Sequence, residues 1–166
     1  KVGRIFVKGV SVMRGYFGDV ETTIAVLSKD GWLDTGDMGY MLDGHLFIVG
    51  RAKDLIIVNG CNYWPQDIEW AAEQLPGVRS GDIAAISLPG ENAEEVPAVL
   101  VQCRLRDSAE REDFAKTIKT EINSVTGVNC RIELVPPRTL PRTPSGKLAR
   151  AKARAQFLAG GLSTPA

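Results

Sequence analysis

From residue 54 onward the sequence alternates β-rich runs with helical stretches, and the turn and cap signals between them restrict the fold severely. The run at 54–60 ends in an Asn-Gly pair, which is typical of a tight turn after a strand. Pro65 then lies where a helix begins, because the N–H that proline lacks would be unpaired in the first turn anyway. Apolar residues recur behind it at helical spacing, at Ile68, Ala72 and Leu75. We expect this helix to end at Pro76-Gly77.

Two more β-rich runs and a longer helix follow. The runs at 83–90 and 98–105 are expected to be antiparallel neighbours, joined by the acidic loop between them. A helix should begin near Ser108, capped by Asp107 or by Ser108 itself, and close at Gly127. Its apolar residues recur at helical spacing, at Phe114, Ile118, Ile122 and Val125.

One further strand, at 131–136, and a short helix near 149–159 complete this part of the chain. Strands and helices in this order predict an α+β domain that begins near residue 54. A short β-sheet flanked by helices is the expected architecture.

The first third of the chain has a different character. Runs at 3–13 and 45–50 are β-rich, and the glycine-dense stretch at 31–45 should turn repeatedly. We expect a small sheet with tight loops there. Because the chain starts on a strand-like run without an initiating methionine, we interpret it as a piece of a longer protein.

Composition excludes several classes of protein. The chain has 166 residues, which is room for one domain, or for one domain and part of another. Its hydrophobic share of 44% and its charged share of 24% are ordinary for a globular protein, which argues against disordered and fibrous classes. No apolar run approaches the roughly 18 residues that span a bilayer, and the N-terminus lacks the apolar core of a signal peptide. We therefore expect a cytoplasmic protein without a membrane span, and a monomer.

Cysteine and histidine usage limits the available chemistry. The three cysteines, Cys61, Cys103 and Cys130, are odd in number and far apart, which argues against a disulfide framework and a zinc site. We expect free thiols. His45 is the only histidine, so histidine-dependent triads and His-rich metal sites are not available within this chain. No metal ligand is predicted.

Charge is unevenly distributed along a chain whose formal net charge is zero. Residues 134–166 carry no acidic side chain and six basic ones, Arg138, Arg142, Lys147, Arg150, Lys152 and Arg154. This basic segment favours anionic partners, although a solvated basic helix end would have the same composition. Nucleic acid is a weaker candidate, because interleaved aromatic residues for base stacking are missing and the whole chain is neutral.

Within the basic segment, the stretch PRTPSGKLAR at 141–150 places Lys147 directly after a Ser-Gly pair. A lone ammonium group on an exposed loop suits contact with a phosphate or a carboxylate. Short motifs such as Ser-Gly-Lys recur by accident, however, and taken alone this one more often marks an ordinary surface lysine.

Two stretches upstream make the Ser-Gly-Lys motif more informative than it is alone. GWLDTGDMGYMLDGHLFIVGRAKDLIIVNGCNYWPQDIE, at 31–69, resembles adjoining signatures of the adenylate-forming superfamily, which includes acyl-CoA synthetases, the adenylation domains of peptide synthetases, and luciferases. GVSVMRGYFGD, at 9–19, is similar to the preceding signature of that superfamily, and 141–150 is similar to the last. Signatures in the right order over nearly the whole chain are far more specific than any one of them.

The resemblance implies a division of the chain. Residues 1–51 would be the β-rich tail of a large nucleotide-binding domain, 52–159 a small mobile C-terminal domain, and 160–166 a flexible tail. The phosphate-binding loop and the fatty-acid pocket would belong to the large domain, outside this sequence. The chain alone should then not be catalytic.

Within the superfamily, the run GRAKDLIIVNGCNYWPQDIE resembles most the fatty-acyl-AMP ligases. These form an acyl-adenylate from a fatty acid and ATP and pass the acyl group to the phosphopantetheine thiol of an acyl carrier protein. Cys61 departs from their pattern, since they usually carry arginine there. Fatty-acyl-CoA ligases share most of the same residues and stay an alternative. A second alternative is a binding module whose basic end docks an acidic carrier protein, with Tyr63 and Trp64 either on that surface or in the core.

The resemblance also implies roles for four residues. Lys147 would be the catalytic lysine that reaches the α-phosphate of ATP and the acyl carboxylate. Asp37, of Thr-Gly-Asp, would accept hydrogen bonds from the ribose hydroxyls, with a turn-stabilising aspartate as the alternative. Arg51 would contact the same ribose, or form a surface ion pair. Lys53 would be the hinge between the domains. Mg²⁺ would accompany ATP, without a ligand from this chain.

Overall fold

The structure, a computed structural model, describes residues 1–90 and 95–162. The chain separates into two compact units, Lys1–Lys53 and a second unit from Asp54 onward. The first unit is mainly β-sheet, and the second combines helices with short sheets. The α+β class expected from the sequence is therefore confirmed.

The first unit is a three-stranded antiparallel sheet with one short helix. Its strands are β1 (Gly3–Val7), β2 (Leu33–Leu42) and β3 (His45–Arg51), with β2 in the middle. Helix α1, Val20–Val26, is capped by Asp19, whose carboxylate accepts a hydrogen bond from the Thr22 N–H at 2.9 Å. This helix was not predicted, because it is only 7 residues long and none of its side chains is buried.

Two expectations for the first unit need correction. The strand expected over 3–13 ends at Val7, and a turn follows in which the Val12 N–H donates to the Gly9 carbonyl at 3.1 Å. The stretch 31–45, expected to turn repeatedly, consists largely of the 10-residue strand β2.

Gly39, in β2, reflects close packing between strands rather than a turn. A Cβ atom on Gly39 would collide with the carbonyl oxygen of Phe47 on β3 and would lie 2.9 Å from Ile5 Cδ1 on β1. The pairing register of β2 and β3 also shifts between Met38 and Gly39. In the sequence, a glycine that lets two strands approach closely cannot be distinguished from a glycine in a loop. This explains why repeated turns were expected over 31–45.

The second unit begins with the turn predicted from the Asn-Gly pair. Strands β4 (Ile56–Val58) and β5 (Cys61–Tyr63) pair in antiparallel fashion. Asn59 and Gly60 between them both have positive φ, at 49° and 75°, which is the combination that a type I′ turn requires. Helix α2 then spans Pro65–Glu73 with proline at its start, which confirms the predicted helix and its beginning. It ends at Glu73, before Leu75 and before the Pro76-Gly77 pair at which the sequence predicted its end.

A three-stranded sheet forms the centre of the second unit. Its strands, in spatial order, are β6 (Ile83–Pro89), β7 (Glu95–Gln102) and β8 (Arg131–Val135). Strand β7 pairs antiparallel with β6, as predicted, and parallel with β8. Of the acidic loop expected between β6 and β7, residues 91–94 lie outside the described part of the chain.

Two helices complete the second unit. Helix α3, Ser108–Thr126, connects β7 to β8. Asp107 caps its start by accepting from the Glu110 N–H at 3.0 Å, and Gly127 ends it in the left-handed conformation, so both predicted boundaries are confirmed. Helix α4, Arg150–Leu158, matches the expected final helix.

Alternate residues of the central sheet enter two separate cores. Ile83 and Ala85 pack in the core that contains residues of α2 and α3. Ala84 and Ile86 pack in the core that contains Ala153 of α4. Because both faces of the sheet are covered, β6 and β7 read in the sequence as nearly continuous apolar runs rather than as an apolar-polar alternation.

The end of the described chain belongs to the second core. Leu162, within the stretch expected to be a tail, is 3% exposed and packs with the residues of the α4 side. Residues 163–166 lie outside the described part of the chain. Among the residues that the structure describes, none of the helices combines the length and the apolar character needed to cross a bilayer.

The three cysteines are free. Cys61 is exposed on β5, whereas Cys103 and Cys130 are buried. Burial raises the pKa of Cys130 to about 11, so its thiol stays protonated and unreactive at neutral pH. Within 1–90 and 95–162, the structure contains no group of three or more His, Cys, Asp or Glu side chains that could hold a metal ion.

Candidate functional site

Lys147 lies on a tight hairpin immediately before α4. Arg142 and Leu148 form an antiparallel bridge at the base of this hairpin. Thr143 closes it twice, because its N–H donates to the Lys147 carbonyl at 2.8 Å and its Oγ1 accepts from the Lys147 N–H at 3.1 Å. The Gly146 N–H also donates to the Thr143 carbonyl at 2.8 Å. The Ser-Gly pair seen in the sequence is thus part of a braced hairpin, hereafter the lysine hairpin, Arg142–Leu148.

The side chain of Lys147 contrasts with its fixed backbone. It is exposed, and among the described residues its ammonium group has neither a hydrogen bond nor an ion pair. An ammonium group is a compact charge with three donors on a flexible stem. Lys147 can therefore meet an incoming anion without first losing an internal contact.

Half of the charge in the basic segment is used within the chain. Arg142 donates to backbone carbonyls, Arg150 to a carboxylate, and Arg154 Nε to the Ser87 carbonyl at 2.6 Å. The other three basic side chains are exposed without a partner among the described residues, namely Arg138, Lys147 and Lys152. The anion-seeking surface inferred from composition is consequently smaller than six charges would suggest.

Sequence reasoning missed the main ion pair of the second unit. Arg150, the first residue of α4, donates from Nε to Glu69 Oε1 at 2.7 Å and from Nη2 to Glu69 Oε2 at 2.5 Å, which is a bidentate arrangement. Its Nη1 lies 3.6 Å from Asp54 Oδ2. Glu69, in α2, also accepts from the Ala85 N–H of the edge strand β6 at 3.0 Å. One carboxylate therefore ties α2, β6 and α4 together.

The charge on Glu69 depends on this arginine. Burial raises the pKa of Glu69, and the hydrogen bond from Arg150 opposes that rise. The hydrogen bond with Glu69 in turn raises the pKa of Arg150. A sequence signal for the pair does exist, because Glu69 lies on the helix face of Pro65 and Ala72, and a carboxylate on the apolar face of a helix needs a partner.

In the first unit, Asp37 and Arg51 face each other across β2 and β3. Arg51 Nε lies 3.0 Å from Asp37 Oδ1, and the Asp37 side chain is 26% exposed. The Thr35 hydroxyl accepts from the Asp37 N–H at 3.1 Å and donates to the Ile5 carbonyl at 2.9 Å, which ties the Thr-Gly-Asp segment to β1. The ion pair considered as an alternative for Arg51 is present, and its partner is the other predicted nucleotide contact.

Lys53 is the last residue of the first unit. It is exposed and lies in a short 3-10 turn, Ala52–Asp54. The predicted site residues are thus distributed over both units, with Asp37 and Arg51 in the first, Lys147 in the second, and Lys53 at the division between them.

The aromatic pair before α2 is divided between core and helix end. Tyr63 is half-buried and packs against the core formed with α2 and α3. Trp64 is half-buried at the N-cap position of α2 and makes no side-chain capping hydrogen bond. Core packing therefore accounts for Tyr63.

A comparison with known proteins decides the family. The family model described as the AMP-binding enzyme C-terminal domain matches residues 60–153, more than half of the chain. The chain belongs to the adenylate-forming, AMP-binding enzymes. The matched range of this AMP-binding domain begins at the β4–β5 turn and includes the lysine hairpin, so the resemblance inferred from the sequence is confirmed.

Individual adenylate-forming relatives match nearly the whole chain. A putative acyl-CoA synthetase of Caulobacter vibrioides is 51% identical over 160 residues, which are 96% of this chain and 28% of the relative. A solved structure from work on fatty acyl-adenylate ligases of E. coli and L. pneumophila is 45% identical with a TM-score of 0.83, over 96% of this chain and 28% of that one. The structure of McyG A-PCP complexed with phenylalanyl-adenylate is 28% identical with a TM-score of 0.84, over 96% and 29%. The chain therefore spans less than a third of the length of these relatives.

Proposed function

We propose that the chain is the C-terminal portion of a fatty-acyl-AMP ligase. That enzyme would activate a fatty acid with ATP to give acyl-AMP and pyrophosphate, and would pass the acyl group to an acyl carrier protein. The observation that carries the proposal is Lys147, whose ammonium group has no partner among the described residues although its backbone is braced. Enzymes of this family use ATP. The phosphate-binding loop and the fatty-acid pocket would lie in the large domain, so the chain by itself is proposed to be inactive.

The chemistry of adenylation explains why a free lysine is wanted. Attack of a carboxylate on the α-phosphate of ATP brings two anions together, so positive charge must be fixed where negative charge develops in the transition state. Lys147 would donate to both anions from one ammonium group, since it has three N–H donors. It would act in adenylation and be withdrawn when the small domain rotates for acyl transfer.

The ion pair between Asp37 and Arg51 is proposed to hold the ribose of ATP. A carboxylate only accepts hydrogen bonds, and Arg51 Nε contacts one of its oxygens at 3.0 Å, which leaves lone pairs for the ribose hydroxyls. Arg51 would keep the carboxylate oriented as well as contact the ribose. Mg²⁺ would accompany ATP in this proposal, with its ligands outside this chain.

Replacing Asp37 with asparagine in the intact ligase is expected to weaken ATP binding by about 10- to 100-fold, because hydrogen bonds to a charged acceptor contribute on the order of 1.5–3 kcal/mol. Isothermal titration with ATP in the absence of fatty acid measures this directly. Asp43→Asn is the matched control, since Asp43 is an exposed carboxylate at the β2–β3 turn, where asparagine tolerates the φ of 49°. Equal ATP affinity for Asp37→Asn and the unmodified enzyme would remove Asp37 from the nucleotide site.

Lys53 is proposed to be the hinge between the two domains. A hinge absorbs a backbone rotation in a few residues at the end of an element, and Lys53 lies in a short turn where the two compact units divide. Its side chain is exposed, so rotation there would not break a core.

Lys53→Pro should therefore separate the two half-reactions. Proline fixes φ at residue 53 and restricts Ala52 before it, so one domain orientation should be lost. We expect acyl-AMP formation and acyl transfer from supplied acyl-AMP to differ in their loss of rate by roughly tenfold or more. Lys53→Ala, which removes the charge but keeps backbone freedom, should affect the two rates equally. Equal losses in both half-reactions for the proline variant would argue against a hinge.

The molecule that accepts the acyl group distinguishes two candidate functions. The 45% identity to a fatty acyl-adenylate ligase structure supports an acyl-AMP ligase, and the likeness to McyG A-PCP supports a carrier protein as partner. The exposed Arg138 and Lys152 could meet an acidic carrier through salt-sensitive contacts. The 51% identity to a putative acyl-CoA synthetase favours a second candidate, a fatty-acyl-CoA ligase.

One competition experiment separates these candidates. The intact enzyme is given ATP, a fatty acid, CoA and a phosphopantetheinylated carrier protein together, and the products are identified by mass spectrometry. Acyl-AMP and acyl-carrier product without acyl-CoA would support the acyl-AMP ligase. Abundant acyl-CoA would support the second candidate. If the intact protein formed neither adenylate nor thioester but bound the carrier protein, the binding-module alternative would be favoured instead.

A further inference from the structure

Arg142 connects the lysine hairpin to the body of the second unit. Its Nη1 donates to the Gly146 carbonyl at 2.9 Å, inside the hairpin, and its Nη2 donates to the Gly81 carbonyl at 2.8 Å, in the segment before β6. The two hydrogen bonds come from the two terminal nitrogens of one planar guanidinium group. One rigid group thereby joins Gly146, directly before Lys147, to Gly81, which lies 61 positions from Arg142 along the chain.

The far end of this connection is itself anchored. The Gly81 N–H donates to Glu73 Oε1, at the end of α2, at 2.9 Å. Gly81 has a φ of 82°, a conformation that favours glycine, and a Cβ there would lie 2.7 Å from Arg142 Nη2. Contacts therefore run without a gap from α2 through Glu73, Gly81 and Arg142 to Gly146.

Among the residues that the structure describes, no carboxylate pairs with Arg142. Its guanidinium donates instead to the two backbone carbonyls. Because Arg142 bridges two backbone segments, its main effect is to fix their relative position rather than to neutralise a charge. A lysine could donate to one of these carbonyls but could not present the same planar fork.

We propose that Arg142 is a positioning residue for Lys147, which holds the lysine hairpin at a set orientation on the small domain. This inference rests on the proposed role of Lys147 in adenylation. Placement of a charged group is sensitive to small displacements, since a shift of about 1 Å can cost roughly 100-fold in rate. Arg142 does not itself touch the reacting groups in this proposal.

Arg142→Ala in the intact ligase should lower the rate of acyl-AMP formation by about 10- to 100-fold. Transfer from supplied acyl-AMP to the acceptor should change by less than about twofold, because Lys147 is withdrawn in that step. Arg142→Lys should restore little of the lost adenylation rate. Arg106→Ala is the matched control, because Arg106 is an exposed arginine in the loop between β7 and α3 without a partner in the described part of the chain, and the adenylation rate of this variant should be unaltered.

A second measurement tests the geometry on the present chain, independently of catalysis. Amide hydrogen exchange at Gly146 and Lys147 should become faster in Arg142→Ala than in the unmodified chain, while the amides of β7 keep their protection. Unaltered exchange at both hairpin amides would overturn the proposal. Equal losses in both half-reactions would also overturn it, because they indicate general damage to the fold.

The failure of this inference can be told apart from the failure of the proposed function. If Lys147→Ala abolishes adenylation and Arg142→Ala leaves it unaltered, the positioning role is wrong and the function stands. If Lys147→Ala leaves adenylation unaltered, the proposed function of the hairpin is wrong, whatever the exchange rates of its amides show.

Discussion

Replacing Lys147 with alanine in the intact ligase is expected to slow acyl-AMP formation by about a few hundred-fold, because one positioned charge in a transition state contributes on the order of 3–4 kcal/mol. The ammonium group has no partner among the described residues, so its removal leaves no internal contact broken. The loss of rate should therefore come without a loss of folding stability. Pyrophosphate release measures the reaction, and thermal unfolding of the same variant measures stability.

Two comparisons make this result specific to Lys147. Lys152→Ala removes an equally exposed ammonium group from α4, a few residues further along, and should leave pyrophosphate release unaltered. Transfer from supplied acyl-AMP should also proceed normally in Lys147→Ala, because the lysine would act in the first half-reaction only. An unaltered rate of pyrophosphate release in Lys147→Ala would refute the catalytic role.

Arg150→Met should destabilise the second unit by about 3–5 kcal/mol, since it leaves a buried carboxylate without its partner. Glu69 is 9% exposed, and apart from Arg150 its one hydrogen-bond partner in the described part of the chain is the Ala85 N–H. Asp54, at 3.6 Å from Arg150 in the intact chain, would become a second acid near the same place. Denaturant unfolding of the chain, with the midpoint and the slope reported together, measures this loss.

The double variant Glu69→Leu with Arg150→Met is the informative control. It removes both charges and replaces them with apolar groups of similar size, so it should recover most of the stability lost in Arg150→Met. Lys116→Met breaks the fully exposed pair with Glu112 on α3 and should change stability little. If Arg150→Met and Lys116→Met were equally mild, the bidentate pair would not be what holds α4 to α2 and β6.

The loss of folding stability in Arg150→Met should depend on pH. Burial raises the pKa of Glu69, and Arg150 opposes that rise, so the variant should have a still higher pKa at this carboxyl. The folded variant then binds a proton more readily than the unfolded chain, and its stability falls as the pH rises through that pKa. The difference in unfolding free energy between Arg150→Met and the unmodified chain should be largest above the raised pKa of Glu69. It should shrink as the pH falls through that pKa. A pH-independent difference would argue that packing, rather than buried charge, dominates.

Local chemistry explains which elements could be predicted. The Asn59-Gly60 pair predicted the β4–β5 turn because both residues adopt positive φ. Pro65 predicted the start of α2, and Gly127 predicted the end of α3. Each of these signals depends only on residues that are neighbours in the sequence. Gly39 was misinterpreted, because its role is set by Phe47 and Ile5 from neighbouring strands.

The same distinction applies to the site. Asp37 and Lys147 could be named because they lie in motifs of consecutive residues, whereas Arg142 and Gly81 are 61 positions apart and Arg150 and Glu69 are 81 positions apart. In neither of these long-range contacts does the local sequence identify the partner. The apolar face of α2 signals only that Glu69 needs some partner, not which arginine supplies it.

By itself the sequence determined the α+β class, the boundaries of the longer helices and the family of the chain, because turns, caps, helical periodicity and signature motifs are properties of neighbouring residues. Only the tertiary structure decided that Asp37 and Arg51 form one pair, that Arg150 is committed to Glu69, and that Lys147 keeps no partner among the described residues. The physical reason is that burial, pairing and orientation depend on which distant segments approach each other. Side chains of the same basic segment thus differ in role through their surroundings alone.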